Sequence, residues 1–281
     1  MDWLVDHKIP LGAWAEALID FIDAHFAWAF DLISTSLGTV IDGLTDLLTW
    51  LHPLVVVALI AAVAFALHRS WVLVAGIGLA LLLVLNLGYW PETMETLSLI
   101  VFATVLCMVI GVPIGIAAAH RPWLYAAVRP VLDLMQTIPT FVYLIPTLVL
   151  FGLGAVPGLI STVIFALPAP IRLTHLGISS APKPLIEAVE SFGATKRQLL
   201  WKVELPHAMP TIMAGLTQCI MLSLSMVVIA ALVGAGGLGR PVVRALNTVN
   251  IAQGFEAGLA IVLVAILLDR ICKRQSAPGG G

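Results

Sequence analysis

Residues 187–206 read Glu-Ala-Val-Glu-Ser-Phe-Gly-Ala-Thr-Lys-Arg-Gln-Leu-Leu-Trp-Lys-Val-Glu-Leu-Pro, and they sit in the longest polar interruption of the chain, roughly Ser179 to His207. Pro182 and Pro184 suit the opening of a short helix running through Glu187 to Ser191, and Gly193 fits its C-terminal stop. Thr195, with Gln198 three residues on, has the form of a capping box that starts a second helix, and Pro206 is expected to end it. A compact helix–turn–helix follows, held outside the bilayer between two apolar spans.

Outward from this stretch the chain is strongly apolar. Of 281 residues 60% are hydrophobic and 11% charged, with a mean hydropathy of +1.05. Ordinary soluble domains carry about 25% charged and about 45–50% apolar residues. One soluble core cannot enclose such a surplus. Spans of roughly 20 apolar residues are expected at about 50–67, 71–90, 97–119, 133–153, 157–178, 209–234 and 252–269, the fifth interrupted by Pro168 and Pro170. The fold class is therefore an all-α polytopic membrane protein with about seven transmembrane helices. Pro113, Pro139 and Pro146 fall inside spans, which neighbouring helices tolerate. Trp50, Trp71, Trp90 and Trp123 mark span ends as interfacial anchors.

Charge sets the orientation. With the N-terminus outside, the inner segments hold Arg69, Arg121, Arg129, Arg172, Lys183, Lys196, Arg197, Lys202, Arg270, Lys273 and Arg274. The outer ones keep only Lys8, Arg240 and Arg244. Eleven cations against three predict a periplasmic N-terminus and a cytoplasmic C-terminus. No signal peptide is evident: Met1 to Pro10 lacks an apolar h-region. Over residues 11–50, Glu16, Asp20, Asp23 and Asp31 face away from Leu18, Phe21, Ile22, Trp28 and Leu32. Asp42 and Asp46 similarly oppose Leu37, Val40, Ile41, Leu44 and Leu47. Two amphipathic helices at the membrane surface are expected, as a scaffold packed on the protein's own spans or as a lipid contact.

Glu187-Ala188-Val189, then Gly193, then Val203, Leu205 and Pro206 resemble the cytoplasmic loop signature of importer permeases of the ATP-binding cassette class, with Val189 replacing the usual second alanine. The resemblance implies a loop that docks into a groove on an ATPase subunit and transmits its closure to the spans. Small Ala188 and Gly193 would allow close approach, and Glu187 would pair with a donor on that partner. A plain solvated connector is the alternative. A DNA-binding helix-turn-helix is disfavoured, because the loop is pinned between spans and Glu187, Glu190 and Glu204 dilute its positive charge. No nucleic-acid partner is expected.

Asp133-Leu-Met-Gln136-Thr-Ile-Pro139-Thr-Phe-Val-Tyr143-Leu-Ile-Pro146 and the run Gly234 to Gly239 are similar to the choline, glycine betaine and proline betaine uptake permeases, the choline importers most of all. The likeness covers about residues 90–270. It implies a permease core over 91–272 containing the coupling loop 179–207, preceded by a periplasmic tail 1–50 and two accessory helices 51–90, and followed by a disordered tail 273–281. It implies also a homodimer in the lipid bilayer of the bacterial inner membrane, a separate ATPase subunit that binds the ATP, and a periplasmic substrate-binding protein. No cofactor is expected in this chain. Asp133 and Gln136 lie near a span's inner end, lining a pathway or, for Asp133, capping a helix. Pro139 and Pro146 would interrupt the helix ladder as transport pathways do. Tyr143 offers a π face to a quaternary ammonium or serves as packing.

The 234–239 glycines lack the Lys-Ser/Thr and the strand of a phosphate loop, so a tight periplasmic turn is expected. Beyond it, Arg240 and Arg244 face a docking partner or solvent. Cys107, Cys219 and Cys272 show no metal-ligand spacing, and His120, His175 and His207 form no catalytic or metal constellation with them. A self-sufficient secondary transporter or channel would need buried ionisable groups or repeated halves; Asp133 is the single candidate carboxylate, and no repeat is seen.

Overall fold

The computed structural model of the protein describes residues 10–272. Expectations that fall on residues 1–9 and 273–281, including the charges of Lys8, Lys273 and Arg274 and a disordered tail, lie outside the described residues. Among the described residues every regular element is helical. In chain order these are α1 (Leu11–Trp50), α2 (Pro53–His68), α3 (Trp71–Asn86), α4 (Trp90–His120), α5 (Pro122–Thr137), α6 (Thr140–Phe151) and α7 (Ala155–Ala166). There follow α8 (Pro168–Ser179), α9 (Lys183–Ser191), α10 (Lys196–Leu199), a π-helical turn (Leu200–Glu204), α11 (Leu205–Ala231), α12 (Gly239–Thr248) and α13 (Ile251–Cys272).

Among the described residues four helices are long and apolar enough to cross a bilayer: Trp90–His120, Ala155–Ser179, Lys196–Ala231 and Ile251–Cys272. The count rises to six if α1 with α2, bent by 104°, and α5 with α6, bent by 97°, each form one span. The 16-residue α3 is apolar but short for a crossing. Seven spans is thus an approximate count.

The centre is a bundle of α4, the α7–α8 pair and α11, packed at small residues. A Cβ on Gly115 would stand 2.6 Å from Cβ of Thr174 and 2.7 Å from the Ile171 carbonyl oxygen. One on Gly177 would stand 3.0 Å from Cβ of Ala208. Without a solvent-driven hydrophobic effect between spans, such close backbone approach is what binds them. Outside this bundle Val56, Ile77, Leu81, Val84, Met94, Leu224 and Val264 share one core, which fastens the α2–α3 hairpin and α13 to α4 and α11.

Several expectations are corrected. Residues 11–50 form one 40-residue helix rather than two. No proline interrupts it, and Leu37 and Ile41 pack on Ala103 and Leu159, so tertiary contact carries the helix past Gly38 and Gly43. The expected span 133–153 is broken at Pro139: Ile138, forced out of the helical region by the following proline, is extended at φ −67° and ψ 130°. Pro146, in contrast, stays inside α6. Pro168 and Pro170 lie in the first turn of α8, where a missing N–H costs little, and α7 runs into α8 with Leu167 still helical. Trp90 is buried at 6% exposure and is no interfacial anchor, whereas Trp50, Trp71 and Trp123 are exposed.

Pro206 does not end the second loop helix. Residues Lys196–Ala231 form one 36-residue helix. The π turn absorbs the proline: the Leu205 N–H donates to the Leu200 carbonyl five residues back, and the widened turn gives the ring room.

Candidate functional site

The polar interruption divides into an exposed head and a buried root. The head is α9, whose end is closed by Gly193 at φ +79°, with the Gly193 N–H donating to Glu190 O (2.8 Å) and the Ala194 N–H to Val189 O (3.3 Å). A side chain at this φ is strained, which explains the glycine. The Thr195–Gln198 capping box is complete: the Thr195 N–H donates to Gln198 Oε1 (2.8 Å), and the Gln198 N–H donates to Thr195 Oγ1 (3.3 Å). α9 buries none of its residues; Glu187 and Ala188 are exposed and Val189 half-buried. Leu185 and Trp201 are exposed as well, and Phe192 is 92% exposed. The segment thus presents three large apolar side chains outward: Leu185 on α9, Phe192 just past its end and Trp201 in the π turn.

The root is Val203, Glu204, Leu205 and Pro206. Val203 and Glu204 are buried, while half-buried Leu205 packs with Ile178, Ala208 and Ile212 between α8 and α11. Glu204 Oε2 accepts from His120 Nε2 at 2.8 Å, which ties the π turn to the end of α4. Replacing Glu204 with alanine is expected to cost ~1–3 kcal/mol, the worth of a buried hydrogen bond to a charged group. Glu204→Gln keeps an acceptor and is expected to cost less; thermal unfolding in detergent compares the two.

The 133–146 segment forms the α5–α6 break. Asp133 lies inside α5, not at an N-cap, and accepts from Arg172 Nη2 of α8 at 2.6 Å. Gln136, one turn on, is exposed. Tyr143 is 8% exposed, and its hydroxyl donates to Met135 O (2.5 Å) and Leu134 O (3.3 Å), bridging the break that Pro139 makes. The ring is occupied as a brace. Thr147 and Ser161 share a buried hydrogen bond of 2.9 Å between α6 and α7.

At the far end of the bundle the 234–239 run makes the expected turn, with Gly234 and Gly237 at φ near +90°. The Gly237 N–H donates to Glu95 Oε2 (2.5 Å) and the Leu238 N–H to Thr96 Oγ1 (2.8 Å). Arg240 Nη1 stands 3.9 Å from the same Glu95 carboxylate. Arg240, Arg244, Tyr89, Glu92, Asn247 and Gln253, with apolar Ala231, Pro241 and Val243, line a cleft of about 700 Å³. Burial and the nearby Glu256 and Glu92 carboxylates push the Tyr89 phenol above its ordinary pKa.

The sequence reading passed over Glu92, Glu95 and Thr96, whose i, i+3, i+4 spacing at the start of an apolar span was the available signal. Nor did it pair His120 with Glu204, or Arg172 with Asp133. His175 stacks on Tyr125 at 3.7 Å. Among the described residues no three His, Cys, Asp or Glu side chains gather where one metal ion would touch them all.

Residues 111–273 match the family described as binding-protein-dependent transport system inner membrane component. The chain is 45% identical over 268 residues to the glycine betaine transport system permease protein OpuAB of Bacillus subtilis, covering 94% of this chain and 93% of that protein. It is 45% identical over 271 residues to the glycine betaine/proline betaine transport system permease protein ProW of Escherichia coli, covering 94% and 75%. Among solved structures it is similar to the inward-facing MetNI methionine ABC transporter, with a TM-score of 0.57 and 26% identity over 63% of this chain and 91% of that one. Head, root, α5–α6 break and glycine turn all fall inside the matched family segment, and the chain belongs to the inner-membrane permeases of binding-protein-dependent transport systems.

Proposed function

We propose that two copies of this chain enclose the pathway of an ATP-driven importer for a quaternary ammonium compound: glycine betaine, proline betaine or choline. The observation that carries the substrate class is the 45% identity along nearly the whole chain to permeases whose names specify glycine betaine. The exposed head supports a separate ATPase subunit as partner. Leu185 and Phe192 would fill its groove, and Glu187 and Ala188 would face it. ATP would be bound and hydrolysed there, with no cofactor and no chemistry in this chain. The root, clamped to α4 and α8, would carry ATPase closure into the bundle. The N-terminus would lie in the periplasm and the C-terminus in the cytoplasm, as the cation asymmetry favours. A periplasmic binding protein would then meet the Arg240–Arg244 cleft and perform most of the ligand recognition, since the Tyr143 ring is engaged as a brace.

Uptake of labelled glycine betaine, proline betaine and choline tests this in cells expressing the chain with its ATPase and binding protein. Saturable uptake of at least one, abolished when the ATPase gene is omitted, is the expected outcome. Uptake that persists without any ATPase would instead make the chain a secondary transporter.

A further inference from the structure

A groove of about 670 Å³ lies between α3 and α13, away from the coupling head, the α5–α6 break and the glycine turn. One wall is the α3 stripe Val72, Leu73, Gly76, Ile77 and Ala80; the other is Leu263, Ile266 and Leu267 of α13. The α3 wall is apolar for about 12 Å along its axis and the α13 wall for about 6 Å, at 1.5 Å per residue. The mouth is different. Ser70, His68 and Arg270 line it, and Arg69, between the first two in sequence, is exposed.

Three observations fix what such a groove takes. First, its mouth lies at headgroup depth: Trp71, 73% exposed, stands beside Ser70 and packs on Phe65 at 4.6 Å, as an interfacial tryptophan does. Second, the mouth carries uncompensated positive charge. Neither Arg69 nor Arg270 makes an ion pair among the described residues, and the neighbouring Asp269, half-buried, does not line the groove. Arg69, next to Ser70 in sequence though not among the lining residues, has a left-handed backbone (φ 50°), its N–H donating to Phe65 O at 2.7 Å. For a residue with a side chain this conformation is costly. Third, the floor is open because it is built from small residues. A Cβ on Gly76 would meet nothing within 4 Å. The walls also open onto the surface that faces acyl chains, since Val72 and Ile266 are exposed.

We infer that this groove is a binding site for an anionic phospholipid, with an acyl chain along the α3–α13 walls and the phosphate at the mouth beside Ser70 and Arg270. Basic pockets between transmembrane helices at the cytoplasmic face are the setting in which acidic headgroups bind, and the orientation proposed above puts Arg69 and Arg270 on that face. A lipid seated here would cement the α2–α3 hairpin to α13, whatever solute the pathway carries.

The test uses the full-length chain, purified in mild detergent, stripped of lipid and offered an equimolar mixture of phosphatidylglycerol and phosphatidylcholine. Lipid retained per chain is counted by mass spectrometry. Wild type is expected to retain phosphatidylglycerol preferentially, by about fivefold for each arginine at the surface. Arg270→Gln is expected to lose about fivefold of that preference. Gly76→Leu sends a side chain into the groove from a Cβ position that meets nothing within 4 Å, and it raises helix propensity; it is expected to lose retention of both lipids while melting no lower than wild type. Equal retention of the two lipids by wild type, or unchanged retention by Gly76→Leu, would overturn the site. So would displacement of phosphatidylglycerol by millimolar inorganic phosphate, which would leave an anion site without a lipid. A Gly76→Cys variant that cross-links to itself between copies would show the groove covered by a second protomer and would likewise overturn it.

Discussion

Replacing Leu185 and Phe192 together with alanine is expected to abolish ATP-driven uptake while leaving the permease folded in the membrane. Both side chains are exposed on a segment that buries nothing in its own chain, so their loss removes no internal packing. With Trp201 of the π turn they are the large apolar groups this segment exposes. Apolar anchors in the centre of an interface cost ~2 kcal/mol or more each on truncation. Two such losses correspond to roughly a thousandfold weaker docking, at 1.4 kcal/mol per tenfold. The ATPase subunit should therefore no longer co-purify with the variant, and uptake should fall to background. The melting temperature of the isolated permease should stay at the wild-type value. If the ATPase is retained, or the permease melts early, the head is not the docking element.

The largest effect on folding is expected at Gly115. A methyl group there would meet the Ile171 carbonyl and Cβ of Thr174 on α8 at 2.6–2.7 Å, and neither atom is the movable end of a side chain. Gly115→Ala should thus push α4 and α8 apart, at the ~1–3 kcal/mol typical of overpacking or more. Gly115→Leu should fail to give a monodisperse protein. Gly78→Ala is the matched control: its Cβ enters open space, and the exchange improves helix propensity. Fluorescence size-exclusion profiles after a heating series separate the three variants. A Gly115→Ala protein as heat-stable as wild type would refute the close-packed α4–α8 contact.

How far the sequence carried this reading depended on the range of the signal. The head was legible because its determinants are local: a proline in the first turn, Gly193 at positive φ and the Thr195–Gln198 box all act within a few residues. The glycine turn was legible for the same reason. Pro206 misled, because a proline's effect depends on the turn before it, and the π turn at Leu200–Glu204 leaves no mark in composition. The continuity of α1 was hidden for a related reason, since Leu37 and Ile41 owe it to residues more than 60 positions away. Pairings across the bundle were the least visible: His120 with Glu204, Arg172 with Asp133 and Glu95 with Gly237. Single polar residues at span ends announce that a partner exists without saying which one.

The unbroken helix from Lys196 to Ala231 links the two ends of the molecule as a single rod. Its 36 residues span about 54 Å. It is pressed tightest at its far end, where a Cβ on Gly239 would stand 2.3 Å from the Val227 carbonyl oxygen and one on Gly158 2.9 Å from Cβ of Ala230. The Arg240–Glu95 contact, 3.9 Å long, lies just beyond that clamped end. Its opening and closing would report, across the thickness of the membrane, whether the head is being pulled.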